Sequence, residues 1–251
     1  MIDFVGAGSG AVDLITVRGM KLLQEADCVV YAGSLVNPEL LNYCKDCTEI
    51  FNSATMNLEE VMEILVSRER AGKKVVRLHT GDPSLYGSIG EQIEELKKNN
   101  IGYRVTPGVT AGFAAAAAIG AEYTLPGISQ TLIFTRTKGK TPMPEKESIR
   151  NLAKIGASMA IYLSAANVEE LATELTEGGL SPDTPVAICY KVSWPDEKII
   201  FSTVENMARD TKEAGLCLTT LFLVGEFVAP EHFDKSKLYS ADFSTLYRTG
   251  K

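Results

Sequence analysis

The chain has 251 residues, of which 45% are apolar and 23% charged, with a formal net charge of −7. That size and balance support a substantial core, in one large α/β domain or two small ones. The acidic sum argues against nucleic-acid binding through a general basic surface, so an acidic ligand has to be met by a local group of Lys and Arg.

The five cysteines, Cys28, Cys44, Cys47, Cys189 and Cys217, are odd in number and give no disulfide framework. The amino terminus, MIDFVGAGSG, lacks the basic stretch of a signal peptide. The longest apolar run, Val109 to Ala121, has 13 residues, short of the roughly 20 that cross a membrane. A soluble cytoplasmic protein with reduced thiols and no membrane partner is expected.

Short β-rich runs alternate with helical ones. Ile2–Val5 reads as a strand, Ile15–Glu25 as a helix and Cys28–Tyr31 as a second strand. Asn37–Cys44 reads as a short helix and Thr48–Phe51 as a third strand. Asn57 followed by Glu60 is a capping box, and the helix it starts carries Leu58, Val61, Met62, Leu65 and Val66 on one face. Val75–Leu78 is a strand, Ile89–Lys98 a helix and Tyr103–Val105 a strand. Gly112–Gly120, with five consecutive alanines, reads as a tightly packed helix closing a first domain. Farther on, Thr131–Thr135, Met159–Leu163, Val186–Tyr190, Ile199–Ser202 and Leu221–Val224 read as strands, with a hairpin through VSWPDEK. The expectation is two α/β domains, residues 1–120 and 121–251, with a cofactor and substrate cleft between them, the first sheet mainly parallel and the second mixed.

Ligands of such sheets bind outside the carboxyl ends of the strands. Gly6-Ala7-Gly8-Ser9-Gly10 follows the first strand, but no acid ends the second strand to hold a ribose, which counts against a dinucleotide site. In His79-Thr80-Gly81-Asp82-Pro83, Gly81 permits close backbone approach, and Asp82 is an acceptor for an ammonium or a ribose hydroxyl. An Asx-type turn, with Asp82 capping a helix over Ser84–Ile89, accounts for the same residues. Thr106-Pro107-Gly108-Val109-Thr110 repeats the pattern, with Thr110 as N-cap of the alanine-rich helix. Cys44-x-x-Cys47 has no second pair, so no metal site is expected. His79 lies beside a candidate binding loop, although a lone His is often structural. Arg136, Lys138 and Lys140 form a basic strip that suits substrate carboxylates or a solvated loop equally. Trp194, the single tryptophan, is a hairpin anchor or a substrate platform.

Taken in order, VGAGSG, YAGSLV, VVRLHTGDPSLYG, TPGVTAGFAAAAAIGAEYTLPGISQT, TRTKGKTPMPE and YKVSWPDEKI resemble the tetrapyrrole (corrin/porphyrin) methyltransferase family, from Ile2 to about Val228. Ser9 stands where members often have Pro, and Ala11-Val12 replaces an acid-Pro pair. The resemblance implies a homodimer of two-domain chains that binds S-adenosylmethionine and methylates a ring carbon of a corrin precursor in cobalamin biosynthesis. It assigns the cofactor to Ser9, Thr80, Gly81, Asp82, Leu85, Thr110, Ala111, Leu163, Val192 and Thr219. His79, Tyr86, Arg136 and Trp194 are the candidates for orienting the tetrapyrrole.

In that chemistry a ring carbon attacks the methyl of a sulfonium, and sulfur leaves neutral. A ring carbon bearing no hydrogen needs no base to activate it as a nucleophile, so the protein's main task is in-line placement and exclusion of water. This agrees with the lack of a recognisable triad or acid/base dyad, and no catalytic residue is named. A dinucleotide-dependent oxidoreductase and a non-catalytic binding protein are the competing classes.

Overall fold

The computed structural model describes residues 1–139, 141–241 and 243–249. Five strands, β1 (Ile2–Gly6), β2 (Cys28–Tyr31), β3 (Glu49–Asn52), β4 (Val75–His79) and β5 (Tyr103–Thr106), form an all-parallel sheet in the order β3-β2-β4-β1-β5. Every residue of β1 and β4 is buried, so both faces of these strands are covered, as near-continuous apolar runs require. Ile2, Phe4, Cys28, Val30 and Val75 pack against Val61 and Leu65 of α2 (Leu58–Arg70) and Leu96 of α3 (Ile89–Lys98). Val5, Val29, Val76 and Leu78 turn the other way, onto Leu23 of α1 (Val17–Glu25) and Leu40. Each fully buried large side chain here contributes about 1.5–3 kcal/mol.

From β1 the chain runs through α1 to β2, and from β4 it runs through α3 to β5, in opposite directions along the sheet. Right-handed crossovers then require α1 and α3 on opposite faces, which the two cores show. The neighbouring loops after β1 and β4 therefore sit at a topological switch point, where such sheets bind ligands.

The second sheet has the order β6-β7-β10-β8-β9, from β6 (Leu132–Arg136), β7 (Ser158–Tyr162), β8 (Pro185–Tyr190), β9 (Lys198–Thr203) and β10 (Thr220–Val224). It is mixed: β6 and β7 are parallel, while β10 runs against β7 and β8. β8 and β9 are the expected hairpin, in register from Pro185↔Thr203 to Tyr190↔Lys198. Met159, Ile161, Val186, Ile188, Phe222 and Val224 line the face covered by α5 (Ile149–Ala153), α6 (Val168–Glu177) and α7 (Met207–Glu213). Among the described residues no helix is long and apolar enough to cross a membrane.

Most boundaries move by a residue or two from the sequence expectation. The helix expected from Ile15 begins at Val17, because the Thr16 side chain accepts from Gly19 N–H at 3.1 Å and caps it. Asn37–Cys44 narrows to a 3-10 helix over Pro38–Tyr43. The capping box holds in both directions, Glu60 N–H to Asn57 at 2.9 Å and Asn57 N–H to Glu60 at 2.8 Å. No helix covers Ser84–Ser88; α3 starts at Ile89 after Ser88, which sits in the left-handed region at φ 49°.

The contacts divide the chain into a unit of Met1–Ala114 with Lys191–Glu197 and a unit of Ala115–Tyr190 with Lys198–Lys251. The sequence expectation places the line at 120/121, with the 191–197 turn in the second half. Here that turn groups with the first unit, and α4 (Ala111–Ala118) spans the boundary.

Candidate functional site

Three loops leave the carboxyl ends of β1, β4 and β5 and meet through their main chains. Ala7 N–H donates to His79 O at 2.7 Å, and Gly8 and Gly81 exchange two hydrogen bonds, at 3.2 and 2.9 Å. A Cβ on Gly6 would lie 2.6 Å from both Gly108 Cα and Gly81 O. A Cβ on Gly108 would overlap Gly81 O, so only glycine permits this approach. On Gly81 a Cβ would make ordinary contacts, with Thr110 Cα at 3.5 Å and Val109 O at 3.9 Å, so glycine is favoured there by its left-handed φ of 59° and not by crowding.

Asp82 fastens two of these loops. One carboxylate oxygen accepts from Ser84 N–H at 2.8 Å and from Ser84 Oγ; the other accepts from Gly108 N–H at 2.8 Å. Burial alone would raise its pKa, but the Ser84 hydroxyl, Gly108 N–H and Ser84 N–H together hold it below the ordinary aspartate value. The expected Asx turn is present without the helix it was to cap. Of roughly four acceptor directions on a carboxylate, these bonds occupy three. Thr80 and Leu85 flank this turn half-buried, and Tyr86 is 43% exposed in the left-handed region at φ 57°. Thr110 is buried, and its carbonyl accepts from Phe113 and Ala114 N–H as α4 begins at Ala111.

His79 is 3% exposed, with its ring 5.8 Å from that of Phe4. Burial, reinforced by the positive charge of Arg77, pushes its pKa down to about 3, so the imidazole is neutral. Its Nε2 is buried without a hydrogen-bond partner. Arg77, on the same face of β4, is a functional candidate that sequence reasoning passed over; its signal was a cation inside the apolar run VVRLH. Its guanidinium donates to Gln92 Oε1 (3.2 Å), Val30 O (3.2 Å) and Ser53 Oγ (3.0 Å), and burial lowers its pKa to about 10. Gln92 Nε2 in turn donates to Ser88 O at 3.1 Å, which ties β4 to the end of the TGDPSLYGS loop.

The turn Lys191–Glu197 brings the sequence-predicted Trp194 onto the sequence-predicted Ser9, together with Ser193, which sequence reasoning did not single out. Ser9 and Ser193 share a hydrogen bond between hydroxyls at 2.8 Å, and Ala11 N–H donates to Ser193 Oγ at 3.1 Å. The Trp194 indole N–H donates to Ser9 O at 3.0 Å. Asn37 Nδ2 holds Gly10 O at 2.9 Å. Val192 is buried, while Lys191 and Ser193 are left-handed at φ 44° and 67°. Lys191 pairs with Asp196 at 2.7 Å and lies 5.8 Å from the centre of the Trp194 ring.

In the second unit, register gathers Arg136, Leu163 and Thr219 at one end of the strands β6, β7 and β10. Arg136 pairs with Tyr162, the residue before Leu163, and Thr219 precedes Thr220, which pairs with Tyr190. Leu163 is 67% exposed and Thr219 is exposed, both left-handed at φ 53°. Such backbone costs about 1 kcal/mol or more for a residue with a Cβ and recurs at functional sites. Arg136 donates to Thr137 O (3.1 Å) and Thr141 O (3.2 Å), folding back onto its own loop. Lys138 is exposed, and Lys140 lies outside the described residues. Among the described residues no group of three His, Cys, Asp or Glu is placed to hold a metal ion.

The family model of tetrapyrrole (corrin/porphyrin) methylases matches residues 1–208. A cobalt-precorrin-4 C(11)-methyltransferase of Methanocaldococcus jannaschii is 51% identical over 247 residues, 98% of this chain and 95% of the relative. A precorrin-4 C(11)-methyltransferase of Pseudomonas aeruginosa is 43% identical over 250 residues, 100% of this chain and 99% of the relative. The crystal structure of a cobalt precorrin-4 methyltransferase of cobalamin biosynthesis superposes with a TM-score of 0.89 at 44% identity, covering 91% of this chain and 96% of that one. A uroporphyrin-III C-methyltransferase from Thermus thermophilus, complexed with S-adenosylhomocysteine, gives 0.77 at 26% identity, covering 91% and 93%.

Proposed function

The chain belongs to the tetrapyrrole (corrin/porphyrin) methylase family, and on that premise we propose that it methylates carbon 11 of precorrin-4 or its cobalt complex, in cobalamin biosynthesis, with S-adenosylmethionine as donor. The observation that carries the substrate and the carbon is identity along nearly the whole length of the C(11)-methyltransferases. The glycine junction of the three loops, at the carboxyl ends of a parallel sheet's strands, supports a bound cofactor.

S-adenosylmethionine supplies an electrophilic methyl on a positive sulfur that departs neutral. The chain's own part is to bind and align. Main-chain groups of Thr80, Gly81 and Ala111 are assigned to the cofactor, with Leu85 and Val192 as apolar neighbours. Asp82 contributes its remaining acceptor direction and keeps the TGDP and TPGV loops in register. Ser9 and Thr110, and from the second unit Leu163 and Thr219, complete the cofactor assignment. Tyr86 and Arg136 are assigned to the tetrapyrrole, Arg136 for its carboxylates. His79 and Trp194 support that binding indirectly, since both are engaged within the first unit. The attacking carbon has no proton to surrender, so alignment and water exclusion are the catalytic contribution.

We further assign the protein to the cytoplasm as a homodimer. Free Cys28, Cys44, Cys47, Cys189 and Cys217 support a reducing compartment, and the family resemblance supports the dimer.

The test is incubation with S-adenosylmethionine carrying a 13C-methyl group and precorrin-4, with and without cobalt. Transfer of one labelled methyl to carbon 11, read by NMR, is expected. Label at another ring carbon, or no transfer to either substrate, overturns the assignment.

A further inference from the structure

A turn joining two antiparallel strands needs only to satisfy its own polar groups. The turn between β8 and β9 does more, because its side chains bond to the GAGSG loop some 180 positions earlier in the chain. Ser193 Oγ meets both the Ser9 hydroxyl and Ala11 N–H, and the indole N–H of Trp194 takes Ser9 O. The main chain at Gly10 lies so close against the indole that a Cβ there would overlap it. Asn37 holds the Gly10 carbonyl, and Gly8 is paired both ways with Gly81. The GAGSG backbone is thus held by the TGDP loop at Gly8 and by the 191–197 turn from Ser9 to Ala11.

The turn is itself braced. Ser193 N–H donates to Glu197 Oε2 at 2.6 Å, and Lys191 pairs with Asp196 while lying near the Trp194 ring. Left-handed Lys191 and Ser193 persist because these contacts over-determine them. A connection under no demand would relax to unstrained residues, whereas one that must present Ser193 and Trp194 at fixed positions would not.

We propose that Ser193 and Trp194 are positioning residues that fix the GAGSG loop in the form that receives the methyl donor. They act through Ser9, Gly10 and Ala11 and not on the reacting atoms. The inference rests on the methyl-donor reading above.

Trp194 is the single tryptophan, so emission excited selectively at the indole reports from this turn. The experiment titrates the full-length protein, Ser193→Ala and Trp194→Phe with S-adenosylhomocysteine by calorimetry, and follows tryptophan emission in the two proteins that keep Trp194. Phe keeps an aromatic ring at the site and removes the donor to Ser9 O together with part of the indole's packing on Gly10. Saturable change in wild-type emission is expected, with affinity weakened about threefold to tenfold in Trp194→Phe, the worth of one hydrogen bond, and at least as much in Ser193→Ala, which removes two. Unchanged affinity in both variants with a lowered melting temperature, or wild-type binding by calorimetry with no emission change, overturns the positioning role and leaves a purely structural turn. Failure of the wild-type protein to bind S-adenosylhomocysteine at all overturns the methyl-donor reading itself, and the positioning role with it.

Discussion

At the carboxyl end of the first sheet main chain meets main chain, while at one end of the second sheet's β7 and β10 side chains project from strained backbone. Gly6 and Gly108 leave no room for a side chain where they meet Gly81. Leu163 and Thr219, by contrast, stand exposed in a conformation that suits glycine better. The first region is built for fixed geometry and has little tolerance for change. The second spends stability to present particular side chains, the usual trade at sites where function and stability compete.

The sharpest way to break this contrast is Gly108→Ala. The added methyl would overlap the carbonyl of Gly81, and no rotamer relieves a clash between backbones. A loss of about 3 kcal/mol or more is expected in urea unfolding. Gly72→Ala is the control, since no atom lies near its Cβ and only φ of 75° opposes it, at about 1 kcal/mol. Equal losses in the two variants would show that the loops can part freely.

Asp82→Ala comes next, at about 2–3 kcal/mol, because Gly108 N–H and Ser84 lose their acceptor. Affinity for S-adenosylhomocysteine is expected to fall at least tenfold. Since the folded pKa of Asp82 lies below its ordinary value, its contribution is present above that ordinary value, about pH 4. It is lost as pH falls through the lower folded value. An Asp82→Ala protein as stable as wild type at pH 7 would remove the fastening role.

His79 gives a pH-dependent effect of about 2 kcal/mol. Its folded pKa of about 3 is below the ordinary histidine value of 6.5, so between these limits the unfolded chain binds the extra proton. Stability is therefore complete above pH 6.5 and declines as pH falls toward 3. From pH 6.5 to 5 this amounts to about 2 kcal/mol, and thermal melts of His79→Gln should be correspondingly flatter over that interval. Parallel curves for the two proteins would contradict a buried neutral imidazole.

The smallest effect has the opposite sign. Leu163→Gly relieves a left-handed residue and is expected to raise stability by up to about 1 kcal/mol while weakening S-adenosylhomocysteine binding. A more stable variant with undiminished binding would separate Leu163 from the cofactor.

The alternation of strands and helices was legible because period-two and period-3.6 patterns are local, and the capping box at Asn57 and Glu60 announced its helix outright. The glycine-rich strand ends were legible for the same reason. Local chemistry could not show that Asp82 reaches Gly108, 26 positions on, and so suggested a helix cap where a bridge between loops exists. His79 looked available because it ends a strand beside a polar loop, but parity put it on the face that packs against Phe4. Left-handed Leu163 and Thr219 had no local signal either, since that conformation is ordinarily marked by Gly, Asn or Asp. The grouping of residues 191–197 with the first unit depends on contacts more than 180 positions apart, beyond any window of periodicity.

That grouping makes the first unit discontinuous in the gene. A single recombination event near codon 114 would join one parent's GAGSG loop to another parent's Ser193 and Trp194. The chimaera would keep the pairing only where both parents carry compatible partners at Ser9, Gly10 and Ala11. Exchanging the first unit intact takes breakpoints after Ala114, Tyr190 and Glu197 together. Inheritance therefore couples the two segments as one module, although most of a second sheet is encoded between them.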